Sequence, residues 1–190
     1  KFANAYFNRG NVYFGIDDFK NSVKDYDQYI KLEPGNAEGY NARSNARYKA
    51  GDRAGTLADY DQLITLKPND EKIFYNRGVL LSETGNIKGA IESYSKAISL
   101  KNDYEIAHFN RGLLREKSKD FKGATEDLTR CIEIHSDDAR TYRYRGNIRF
   151  NLKDIVGARA DWQRAADLYQ QKGEIESYKQ LKSLLDAVRK

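Results

Sequence analysis

Methionine is absent from all 190 residues, residue 1 included. The chain is therefore expected to be an excised or processed piece of a longer protein, and any targeting segment upstream is out of view. Cys131 is the single cysteine, which rules out an intrachain disulfide and a cysteine-rich metal site. It leaves the redox compartment open; a cytoplasmic location is the expectation. Proline occurs only at Pro34 and Pro68, so long helices are permitted. No run of 18 apolar residues exists, and membrane insertion is not expected. Histidine is scarce too: His108 and His135 are the only two.

What is abundant is repetition. Asn-Arg-Gly stands at residues 8–10, 76–78 and 110–112, at intervals of 34 or twice 34. Cutting every 34 residues from Ala3 gives five gapless units, 3–36, 37–70, 71–104, 105–138 and 139–172. Position eight holds Gly10, Ser44, Gly78, Gly112 and Gly146. Position four holds Tyr6, Tyr40, Phe74, His108 and Tyr142. Position twenty is always small (Ser22, Thr56, Ala90, Ala124, Ala158), and position twenty-four is large (Tyr26, Tyr60, Tyr94, Leu128, Trp162). Apolar residues fall at helical spacing on either side of short turns such as "AGD" (50–52) and "TGN" (84–86). Each unit thus reads as a helical hairpin, helix A near positions two to fourteen and helix B near seventeen to thirty. The small positions let the helices approach, and the aromatics fill the remaining space.

Over residues 3–172 this pattern resembles the tetratricopeptide repeat (TPR) closely. Its Arg-Gly variant of helix A is similar to one found in bacterial, prominently cyanobacterial, members. The resemblance implies an all-α fold, a right-handed α-solenoid of five hairpins whose A helices line a concave groove. The stripe Ile175, Tyr178, Leu181, Leu184, Leu185 and Val188 predicts a C-terminal capping helix within 173–190, covering the last helix B.

Position seven is arginine every time: Arg9, Arg43, Arg77, Arg111 and Arg145. The family pattern usually has leucine there. A guanidinium facing helix B needs a partner, because an unpaired buried charge is very costly. Across a hairpin, position seven faces positions twenty-three and twenty-four. Position twenty-three offers Asp25, Asp59, Ser93, Asp127 and Asp161. Structural pairs are therefore expected for Arg9–Asp25, Arg43–Asp59, Arg111–Asp127 and Arg145–Asp161, with fork geometry. Arg77 faces only Ser93, and the readings left for it are Asp59, Glu92 or a partner molecule.

The implied groove is rich in amides and aromatics. Its candidate peptide-binding residues are Asn8, Asn11, Asn41, Asn45, Tyr75, Asn76, Phe109, Asn110 and Asn147, with Arg140 and Arg143 adding positive charge. An asparagine both donates and accepts, so a row of them can pair with an extended backbone of any sequence. The bland alternative is that these are solvated or locally bonded helix residues. The family's dicarboxylate clamp has no match in any three consecutive units.

No catalytic set and no cofactor or metal site is legible. His108 sits in the aromatic packing position, Cys131 reads as a small core residue, and Asp17–Asp18 and Asp137–Asp138 fall where capping explains them. The expected function is a non-catalytic scaffold or adaptor holding a peptide or extended protein segment. Net charge supplies the first alternative. Residues 139–172 hold eight basic against three acidic residues, a local +5, and could contact nucleic acid through Arg140, Arg143, Arg145, Arg149, Arg159 and Arg164, although nucleic acid is the less favoured partner. Others are a regulatory domain of a larger enzyme, and self-association.

Overall fold

The computed structural model describes residues 2–188, and every regular element among them is an α-helix. The chain divides into two compact units, Lys1–Leu100 and Lys101–Lys190.

Unit one contains three hairpins: α1 (Phe2–Gly15) with α2 (Phe19–Leu32), α3 (Ala37–Lys49) with α4 (Arg53–Leu66), and α5 (Glu71–Glu83) with α6 (Ile87–Leu100). Unit two contains α7 (Glu105–Lys117) with α8 (Phe121–Ile134), α9 (Ala139–Asn151) with α10 (Ile155–Gln171), and then α11 (Ile175–Ala187). Within each unit every helix packs on its neighbours in sequence. Each unit is an all-α array of stacked helical hairpins.

The turns inside the hairpins share one chemistry. The residue at position fifteen takes a left-handed backbone in each repeat: Asp17, Gly51, Gly85, Lys119 and Lys153, with φ between 60° and 83°. Glycine adopts this without strain, and the other three pay a local cost. The next residue starts helix B. Asp52, Asn86, Asp120 and Asp154 each accept a hydrogen bond from the backbone N–H three residues on, at 2.8–3.0 Å. These side chains satisfy donors that the helix start leaves without partners.

Inside the hairpins the periodic positions interlock as their sizes demand. All five residues at position twenty are fully buried. In unit one Tyr29, Ile30, Tyr60, Leu63, Ile73 and Leu80 form the continuous core. In unit two the core centres on Trp162, Ala165, Ala166, Leu168 and Tyr169, with Leu181 and Leu185 of α11 closing it. Burying those two leucines is worth about 2 kcal/mol each.

Candidate binding groove and its arginine–aspartate ladder

The position-seven arginines form the forks their sequence positions suggest. Arg9 Nε and Nη2 donate to the two carboxylate oxygens of Asp25, both at 2.7 Å. Arg145 grips Asp161 in the same way at 2.9 and 2.7 Å, and Arg111 grips Asp127 at 2.9 and 2.6 Å. Arg43 donates through Nη2 and Nε to Asp59 at 2.5 and 3.1 Å. The aspartates are almost completely buried.

Arg77 takes neither Asp59 nor Glu92. It bonds Asp61 of the preceding hairpin at 2.9 Å and the Ser93 hydroxyl at 2.9 Å. That geometry recurs. Arg43 reaches back to Asp27 at 2.6 Å, and Arg145 to the Thr129 hydroxyl at 3.0 Å. Each of these arginines ties helix B of its own hairpin to helix B of the hairpin before. Arg9 has no hairpin before it in this sequence, and its side chain is 59% exposed against 10% for Arg145.

A second arginine was not anticipated. Arg47, Arg115 and Arg149, one helical turn after the first, reach the same three aspartates: Asp59 at 3.0 Å, Asp127 at 2.8 Å and Asp161 at 2.9 Å. Arg47 and Arg115 also donate to the carbonyls of Gly55 and Gly123. A sequence signal existed, since arginine occupies position eleven only in repeats that also carry aspartate at twenty-three. One-to-one facing across a hairpin pairs position seven with twenty-three and leaves position eleven out.

His108 is part of this network. It is buried, with Nδ1 at 3.1 Å from Asp127 Oδ1 and Nε2 at 3.0 Å from the Asn102 carbonyl. Burial pushes the Asp127 carboxyl up, but His108, Arg111 and Arg115 together outweigh it and hold it below the usual carboxylate range. Cys131 is buried, and loss of solvent pushes its thiol up to about 12; it is an unreactive core residue. Among the described residues no histidine, cysteine and carboxylate group has the arrangement of a metal site, and no helix is long and apolar enough to cross a membrane.

His135 lies at the surface with Nδ1 at 2.9 Å from Glu105 Oε2. The hydrogen bond to Glu105, then its charge, raises the imidazole above its ordinary pKa. Proton NMR titration is expected to show His135 holding its proton to higher pH than a free histidine, and Glu105→Gln to return it to the ordinary range. The sign implies that any stability this pair contributes is full below the ordinary histidine pKa and fades as pH rises through the raised one.

The groove-face residues have diverse surroundings. In unit one, Phe7, Asn11, Phe14, Tyr26, Asn41 and Asn45 line a cleft of about 340 Å³. A second cleft, of about 910 Å³, is lined by Asn41, Asn76, Tyr60, Leu63 and Ile73, with Lys72 and Glu38 among its charged residues. Asn41 belongs to both. Asn8, Asn11, Asn41, Asn45 and Asn76 are exposed, and Tyr75 packs beside Tyr94 with ring centroids 5.7 Å apart. In unit two, Phe109 meets Tyr144 edge-on at 5.6 Å, and Asn110 and Asn147 are half-buried. Asn11 and Asn147 already serve the fold. Asn11 Oδ1 accepts from the Tyr26 hydroxyl at 2.7 Å, and Asn147 Oδ1 from Trp162 Nε1 at 2.9 Å. Arg140 leans on Asp138 at 3.3 Å. Arg143 has no carboxylate partner among the described residues.

Comparison with known proteins agrees with this architecture. Residues 3–36 match the family described as "Tetratricopeptide repeat", and residues 81–119 match "TPR repeat". No curated protein matches the chain by sequence. Among solved structures the chain is similar to the MamA protein, with 19% identity, a TM-score of 0.81, and 90% of this chain and 94% of that one covered. It is similar to YrrB, described as a TPR protein with an unusual peptide-binding site, at 16% identity and a TM-score of 0.72, covering 86% and 84%. It also matches PilF of Pseudomonas aeruginosa at 13% identity and a TM-score of 0.66, covering 98% and 91%. Residues 3–36 and 81–119 therefore match tetratricopeptide-repeat models, and the chain shares its fold with these solved structures.

Proposed function

We propose that the chain is a non-catalytic scaffold whose helix-A faces hold an extended peptide segment of a partner protein. The observation that carries this is the pair of adjoining clefts in unit one, joined at Asn41 and lined by exposed amides beside aromatic and aliphatic side chains. Amides there can pair with successive backbone groups, while the apolar walls select side chains. The peptide-binding site named for YrrB supports the same use of this fold. Nucleic acid is less well served, because Arg145 and Arg149 of the basic repeat are committed to Asp161.

The test is selection of peptides against the chain from a displayed library, followed by affinity measurement with Asn41→Ala/Asn76→Ala. Two lost hydrogen bonds at about 1 kcal/mol each predict about 30-fold weaker binding. The helical circular dichroism should stay unchanged, since both side chains are exposed. Unchanged affinity for every selected peptide would remove the reading.

A further inference from the structure

One side of α1 is uncovered, and its composition is not that of a solvated face. Phe2, Ala5, Arg9, Val12 and Ile16 follow one another at spacings of three and four residues, so they form a single stripe. Phe2, Val12 and Ile16 are 80%, 63% and 67% exposed. Later repeats bury the same positions. At position ten Ala46, Leu80 and Ile148 are buried where Val12 is exposed. At position three Gly39, Ile73 and Thr141 are buried where Ala5 is exposed. The covering element is helix B of the hairpin before: α2 packs on α3, α4 on α5 and α8 on α9.

Arg9 specifies the chemistry that would cover the stripe. Arg43 and Arg145 hold the aspartate of their own hairpin through Nε and Nη2 and use Nη1 for the backward bond, to Asp27 and to the Thr129 hydroxyl. Arg9 also holds Asp25 through Nε and Nη2, and its Nη1 makes no hydrogen bond among the described residues. The backward acceptors sit among apolar residues. Asp61 is flanked one helical turn away by Leu57 and Ile64, which pack on the core containing Ile73 and Leu80.

A second copy of the chain supplies no such surface. Arg9 is the only charged residue of α1, so α1 against α1 would bring two guanidiniums together with no carboxylate between them. The outer face of α11 offers no apolar stripe: Glu176, Lys179 and Ser183 are exposed on it, as suits the closing face of a helical array.

We propose that the α1 stripe is a docking surface for one amphipathic helix of a partner protein, a helix with an aspartate or glutamate in the middle of its apolar face. That helix lies along α1 as α4 lies along α5. Phe2, Val12 and Ile16 bury against its apolar residues, and Arg9 bridges Asp25 and the partner's carboxylate. The stripe shares no residue with the two clefts of unit one, so this inference does not rest on the groove reading.

The probe is a fluorescein-labelled peptide of residues 52–67, the α4 sequence, with Ala54→Lys and Ala58→Glu joined as a lactam on its outer face, because a helix this short is marginal alone. Fluorescence anisotropy should show it binding the parent chain. Asp61→Ala in the peptide should weaken binding by at least about tenfold, the loss of one charge-assisted hydrogen bond, and Asp59→Ala should not. Val12→Glu in the chain should weaken it as much with the melting temperature unchanged, while Val156→Glu, on exposed α10 surface, should have no effect. The inference falls if Val12→Glu binds like the parent, if the Asp61→Ala peptide binds like the original, or if Asn41→Ala/Asn76→Ala abolishes binding instead. It falls also if light scattering finds a dimer of the chain that Val12→Glu dissolves, since a second copy then covers the stripe. A form of the protein extended ahead of Lys1 that fails to bind the peptide would overturn it as well.

Discussion

Replacing Asp127 with alanine should destabilise unit two by about 3–5 kcal/mol, the range for removing one partner of a buried ion pair. The carboxylate is 2% exposed and accepts from Arg111 through two bonds, from Arg115, and from the His108 ring. Alanine would leave two guanidiniums and an imidazole facing a dry void. Domains are stable by only about 5–15 kcal/mol, so the loss should appear as a large fall in the urea midpoint. The acid side follows by sign. The folded-state pKa of Asp127 is depressed, so its contribution is complete above the ordinary carboxylate pKa, about 3.9. It disappears as pH falls below that and through the depressed value. Urea melts from pH 6 down to pH 2 should show the parent losing stability with a steeper slope than Asp127→Asn. Equal slopes, or a cost for alanine under 1 kcal/mol, would show that water reaches the carboxylate.

Gly146→Ala should destabilise the protein while Gly112→Ala, at the same position of the preceding repeat, is nearly neutral. Alanine is the better helix former by about 1 kcal/mol, so both changes would help if backbone propensity decided. Space decides instead. A Cβ on Gly146 would lie 2.6 Å from Trp162 Cδ1 and 3.2 Å from the Ala158 carbonyl, backbone that cannot step aside. Overpacking of this kind costs about 1–3 kcal/mol. At Gly112 the residue opposite is Leu128, and the nearest atom is Asp127 Cβ at 3.3 Å. Thermal melts of the two variants, with Trp162 fluorescence as a local readout, decide the matter. If both behave alike, the size of the residue at position twenty-four is not what requires glycine.

Much of the fold was legible because the repeat averages out local noise. Five copies of one pattern identify positions eight, twenty and twenty-four as packing sites, and the helices run close to the expected ranges. The four Arg–Asp forks were legible because a hairpin makes facing positions add to a constant. Arg77 was not, since its partner Asp61 belongs to the preceding hairpin, and the stagger between hairpins is a packing property. Nor were Arg47, Arg115 and Arg149, whose length lets them share an aspartate that the position-seven arginine already grips. The groove was legible by residue type only. That Asn11 and Asn147 have their oxygens occupied, while Asn41 opens into two clefts, depends on side-chain geometry that no spacing encodes.

The arginines that reach backward make a single hairpin a poor unit of folding. In unit one, Arg43 bonds both Asp59 and Asp27, and Arg77 both Ser93 and Asp61. Opening the first hairpin or the second therefore strips a bond from an arginine rooted in its successor. Nearest-neighbour coupling of this sort favours cooperative melting of the three hairpins over independent fraying. The coupling is reciprocal: each hairpin steadies the one before it and the one after it through the same bonds.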